Sequence, residues 1–208
     1  NKILIGALVI LAIELFGFVH LESEYKEMKW TTHSQVVALR KNTEPYNVPF
    51  WMYIEGTGNA TRINKLQNYV AKIENEEPEM YIKFLNEGWH FVLTDRDLGG
   101  NESANTTIAG QCVQSERCIY IRFVDEKIVW HEFGHYINSV KKISQKRKFR
   151  EIHEKEWMNV TDAYNLLTVN TSTPGEYFAE MYAYYRINGI DDDKIAPMTK
   201  KLFEDLIY

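Results

Sequence analysis

The stretch VWHEFGHYIN, Val129 to Asn138, sets two histidines four residues apart, with a glutamate directly after the first. A helix turns about 100° per residue, so positions i and i+4 share a face. On a helix, His131 and His135 would point two imidazoles at one metal ion. Glu132 falls at the edge of that face, where it can hold a water and take its proton. Gly134 costs about 1 kcal/mol relative to alanine inside a helix, which points to a packing reason for it. The competing reading is two ordinary histidines and a helical glutamate. A catalytic zinc site usually has three protein ligands and a water, so a third ligand decides between the two.

No histidine stands six residues after the motif. His20, His33 and His90 lie upstream, and His153 follows His135 by 18 residues behind a basic run. A stronger source is PGEYFAEMYAYY, Pro174 to Tyr185. Pro174 presets a helix start, and Glu176 and Glu180 then share a face. One of the two could bind the metal while the other accepts a hydrogen bond from a ligand histidine and fixes its tautomer. Tyr177, Phe178, Tyr182, Tyr184 and Tyr185 would pack this helix against the first. Without the histidine motif, the two carboxylates would read as a solvated helix face.

The chain has 208 residues, 45% hydrophobic and 13% aromatic, with a net charge of −5. That suits one domain with a real core and excludes a disordered chain. The acidic balance argues against nucleic acid as a partner. The basic run KKISQKRKFR, Lys141 to Arg150, reads as a solvated helix end and loop. Near the start, Ile3 to Ile13 forms an unbroken apolar run of 11 residues, interrupted by Glu14 before LFGFV resumes. This length suits a signal-peptide core better than a membrane span. Residues 1–20 are therefore expected to be a signal peptide or an N-terminal membrane anchor through residues 3–19, and the protein to work outside the cell. Cys112 and Cys118 flank the polar VQSER, which reads as the turn of a hairpin with a disulfide across it. Five Asn-x-Ser/Thr sequons, at Asn59, Asn101, Asn105, Asn159 and Asn170, read as polar surface loops.

Glu22 to Lys41 reads as helical and Phe50 to Gly56 as a strand. Asn59 can cap a helix carrying Ile63, Leu66, Tyr69, Val70 and Ile73 at helical period. Pro78 opens a second helix, Glu79 to Asn86, before a strand over Trp89 to Asp95. A Gly/Asn/Ser-rich loop, Arg96 to Thr107, leads to the cysteine hairpin, Ile108 to Arg122. Helices follow from Glu151, with a loop at Thr168 to Pro174. The order is that of an α+β domain.

HEFGHYIN followed about forty residues later by EYFAE resembles the lethal-factor-like zinc metallopeptidases, a family that includes the anthrax lethal factor catalytic domain and the Pro-Pro endopeptidases. EGWHFVLTD, AGQCV and CIYIR precede the motif in the family's order, so the resemblance spans roughly Phe50 to Arg186. It implies a zincin-like metallopeptidase domain over 21–208. A small mixed sheet with an edge strand beside the zinc helix would be followed by a mainly helical C-terminal part. It further implies one Zn2+ held by His131, His135 and Glu176, with Glu132 as general base and Glu180 as partner of a ligand histidine. Peptide substrate would lie extended along the edge strand at Ala109 to Arg122. The family places an oxyanion-stabilising tyrosine seven residues before the glutamate ligand, where this chain has Val169. Tyr164, twelve before Glu176, is the nearest upstream tyrosine and the candidate for that task. The resulting expectation is a monomeric, secreted or surface-anchored endopeptidase, toxin-like in kind. The alternative is a toxin-like binding module that keeps the fold without catalysis.

Overall fold

Period-two alternation in the short apolar segments builds a sheet with one face for a large core and one for a small cluster. A computed structural model describes residues 39–40, 43–99, 108–164, 171–189 and 196–207. The expected signal or anchor, most of the expected helix over Glu22 to Lys41, and Val169 lie outside them. The strands are β1 (Met52–Glu55), β2 (His90–Thr94), β3 (Gly110–Val113) and β4 (Cys118–Ile121), in the order β1-β2-β4-β3. β1, β2 and β4 run parallel, and β3 is antiparallel to β4. Met52, Ile54, Phe91, Leu93, Ile119 and Ile121 face the main core, while Tyr53, Val92, Cys118 and Tyr120 form a cluster on the other face.

Parallel neighbours need a crossover, and α1 (Ala60–Glu76) and α2 (Pro78–Asn86) supply it between β1 and β2. The Asn59 side chain caps α1, accepting from the backbone N–H groups of Thr61 and Arg62 at 2.9 and 3.2 Å. Pro78 opens α2, and Gly88 follows its end at φ +75°, a left-handed position that glycine adopts without penalty. Four further helices follow: α3 (Glu126–Lys141), α4 (Arg147–Ala163), α5 (Pro174–Asn188) and α6 (Pro197–Ile207). The basic run is split between the end of α3, a turn and the start of α4. Buried Ile143 and Phe149 anchor it, so α4 begins four residues before the expected Glu151. Buried Glu156 of α4 caps α6 by accepting from the N–H groups of Met198 and Thr199, at 2.8 and 3.0 Å. Phe84 of α2 is fully buried, within 5.1–5.8 Å (ring centroids) of Trp89, Phe91, Phe133 and Tyr136.

The expected disulfide does not form: both cysteines are free thiols. Cys112 lies opposite Ile119, and Cys118 opposite Val113. The one-residue offset turns the two side chains to opposite faces of the sheet.

His90 stacks on Tyr53, with ring centroids 4.3 Å apart, and among the described residues joins no cluster of metal-binding groups. Burial pushes its imidazole down to about 4, against a hydrogen bond with the Gly88 backbone. Its ordinary value is 6.5, so between pH 6.5 and about 4 the unfolded chain binds a proton that the folded chain refuses. His90 therefore contributes stability above pH 6.5 that is lost as pH falls through that window. His90→Phe, which keeps the stacking, should reduce the drop in Tm between pH 7 and pH 5 by a few degrees. An unchanged drop in thermal melts would refute the assignment.

Candidate metal centre

Two helices carry the chemistry, and their backbones must come close for short side chains to meet. α3 packs more extensively against α5 than against any other element described. At the crossing a Cβ on Gly134 would lie 3.1 Å from Ala179 Cα and 3.3 Å from the Tyr182 ring. Gly134 thus exchanges helix propensity for this approach, the packing reason its position called for. Asp125 caps α3 through the Lys127 N–H at 2.9 Å, and Thr173 caps α5 through the Glu176 N–H at 3.2 Å.

His131, His135 and Glu176 converge. The two Nε2 atoms are 3.1 Å apart, and Glu176 Oε2 lies 3.3 Å from that of His131 and 3.5 Å from that of His135. A tetrahedral ion with bonds of roughly 2.0–2.1 Å needs its ligand atoms about 3.3–3.4 Å apart. The three groups therefore have the donor types and the spacing to hold such an ion. Among the described residues they are also the one group of three or more His, Cys, Asp or Glu close enough to do so.

Glu180, one turn beyond Glu176 and 1% exposed, places Oε2 3.2 Å from His131 Nδ1. With the proton on Nδ1, the lone pair of Nε2 faces the other two groups. Burial disfavours charge on His131, but hydrogen bonds with Glu176 and Glu180 prevail and raise its imidazole to about 9. Burial likewise opposes charge on Glu176, yet the two histidines hold it well below the usual carboxylate range. A metal entering at neutral pH would have to displace the His131 proton, so its affinity would fall as pH falls.

Glu132 is buried, and burial raises its carboxyl above the ordinary value. It lies beneath β3, where a Cβ on Gly110 would come 2.8 Å from Glu132 Cγ. Antiparallel ladders alternate hydrogen-bonded and non-bonded pairs. The Arg122 N–H donates to Ala109 O at 2.8 Å, so the backbone groups of Gly110 and Cys112 turn away from β4 to the free edge. There the Cys112 N–H donates to the Glu132 carboxylate.

Tyr164 follows the end of α4. It stacks on Tyr184 at 4.3 Å, on the stripe of α5 that also carries Tyr177 and is rotated about 100° from Glu176. His153 is buried, with Nε2 2.8 Å from Thr171 O, and its ring lies against Trp157 and Tyr177. Sequence reasoning overlooked Lys127, Gly110 and the Cys112 N–H. Only the i,i+4 spacing of Lys127 and His131 offered a signal.

A mixed α+β domain with a metal-ready triad between two helices defines a class, and comparison with known proteins narrows it. No family model matches the sequence, and no curated protein matches it. Among solved structures, the chain is similar to the Pro-Pro endopeptidase PPEP-2 from Paenibacillus alvei. The identity is 20% and the TM-score 0.56, over 74% of this chain and 95% of that one. The likeness establishes a shared fold.

Gly134→Val should force α3 and α5 apart, costing about 1–3 kcal/mol by overpacking. Urea denaturation of the metal-free protein measures it, and wild-type stability would refute the close-approach argument.

Proposed function

We propose that the chain is a zinc-dependent endopeptidase of the lethal-factor-like class, acting on peptide or protein substrates. The observation that carries the reading is the convergence of His131, His135 and Glu176 beside buried Glu132 and the free edge of β3. The fold shared with a Pro-Pro endopeptidase supports it. The apolar run Ile3 to Ile13 supports a secreted or surface-anchored location. Among the described residues no helix is long and apolar enough to cross a membrane.

In this reading His131, His135 and Glu176 hold the zinc, and Glu180 orients His131. Zinc, when bound, polarises a carbonyl as a Lewis acid and lowers the pKa of water. Glu132 acts as general base, and its raised pKa makes it the better proton acceptor. The Cys112 N–H and the absence of a side chain at Gly110 fix where its carboxylate sits. An extended peptide adds to the edge of β3 through the backbone groups of Gly110 and the Cys112 carbonyl, the Cys112 N–H being taken by Glu132.

Zinc content and cleavage of a peptide library test the reading together. Wild type should bind about one zinc per chain, and Glu132→Gln should keep the zinc and lose cleavage. Glu176→Ala should lose the metal, whereas Glu180→Ala should keep it with affinity or activity weakened roughly 10–100-fold. Zinc without cleavage would favour the binding-module alternative, and no zinc would overturn the ligand assignment.

Gly110→Ala adds a methyl group against Glu132 and Ile128, both 2.8 Å from its Cβ position. Turnover should fall about tenfold or more with zinc content unchanged, as misplacing a catalytic group costs rate steeply. Wild-type turnover would show that Glu132 is not confined by β3.

A further inference from the structure

We propose that Lys127 is a positioning residue for the metal centre, holding the Glu180 carboxylate aimed at His131. The inference rests on the peptidase reading of the same site and deepens it. Lys127 precedes His131 by one helical turn, so both side chains leave the same face of α3. Glu180 of α5 lies between them, with Oε1 2.5 Å from Lys127 Nζ and Oε2 3.2 Å from His131 Nδ1.

The physical need for this cation follows from burial. Glu180 is 1% exposed, and an uncompensated carboxylate at such a site is costly. Its two oxygens face two partners, and only one of them, Lys127, carries a permanent charge. With a metal held by His131, His135 and Glu176, His131 would donate its Nδ1 proton to Glu180 more strongly. Lys127 then keeps Glu180 from rotating or leaving its place. Lys127 is itself 43% exposed, so its ammonium stays partly hydrated and the pair avoids the full desolvation cost of two buried ions. Its work is electrostatic and geometric, exerted through Glu180.

A double-mutant cycle on zinc affinity, measured by competition with a chelator on the full chain, tests this. Lys127→Met keeps the aliphatic stem and removes the charge, and it should weaken zinc binding about 10–100-fold. Lys127→Arg should restore affinity to within about threefold of wild type, because a guanidinium can pair with the same oxygen. In a Glu180→Gln background the amide carbonyl still accepts from His131 but needs no counter-ion. There Lys127→Met should change affinity less than about threefold. An unchanged affinity for Lys127→Met, or an equal loss in both backgrounds, would overturn the proposal. If Lys127→Met fails to fold by circular dichroism, Lys127→Gln takes its place with the same expectations. Failure of the wild-type chain to bind zinc overturns the peptidase reading itself, whereas normal wild-type binding with an indifferent Lys127 overturns only this role.

Discussion

The site depends on how near two helix backbones can come. Imidazoles on α3 and carboxylates on α5 meet within 3.5 Å only because Gly134 presents no side chain to Ala179. Around that crossing, Trp130, Phe133 and Tyr136 on one helix and Phe178, Met181 and Tyr182 on the other are fully or almost fully buried. This large apolar burial stabilises a contact that the converging charges would otherwise oppose. Packing supplies the stability, and the polar groups use the geometry it fixes.

Charge is the second constraint. Three carboxylates, Glu132, Glu176 and Glu180, stand within one small volume with two imidazoles and one ammonium. Without a metal, the proton on His131 helps balance the anions, its imidazole being raised to about 9 by hydrogen bonds with Glu176 and Glu180. A divalent cation held there would replace that proton-borne charge with a fixed one. The environment pushes Glu132 and Glu176 in opposite directions, one toward holding a proton and one away from it. Such divergence between neighbouring carboxyls is how a site assigns different tasks to the same chemical group.

Much of this was legible because helical periodicity is a local property. The i,i+4 spacings of His131 and His135, and of Glu176 and Glu180, depended only on each segment being helical. The cap at Asn59 and the helix start at Pro174 followed from residue chemistry alone. The strand order could not be read this way. That β2 sits between β1 and β4, leaving β3 at the edge, is decided by packing of α1, α2 and α3 on one face. The disulfide expectation failed on register, because a spacing of six fits a bridged hairpin only when the two cysteines share a face. Tyr164 was chosen by distance along the chain, and its stacking on Tyr184 was not legible there. Gly110 and Lys127 meet partners remote in sequence, one against Glu132 and one against Glu180, so the i,i+4 spacing of Lys127 and His131 marked a shared face but not the partner.

The far end of α5 has a consequence of its own. Arg186 is enclosed by Trp130, Tyr182 and Tyr185 and pairs with Glu77 at the joint between α1 and α2. The Tyr182 hydroxyl donates to the same Glu77 at 2.6 Å. Ten residues of helix, roughly 15 Å, separate this anchor from Glu176. The helix is thus a stiff rod clamped at one end and bearing donor atoms at the other. A shift of the α1–α2 joint along that axis would be delivered almost undiminished to the metal-facing carboxylate, which makes a corner of the sheet crossover part of the alignment of the centre.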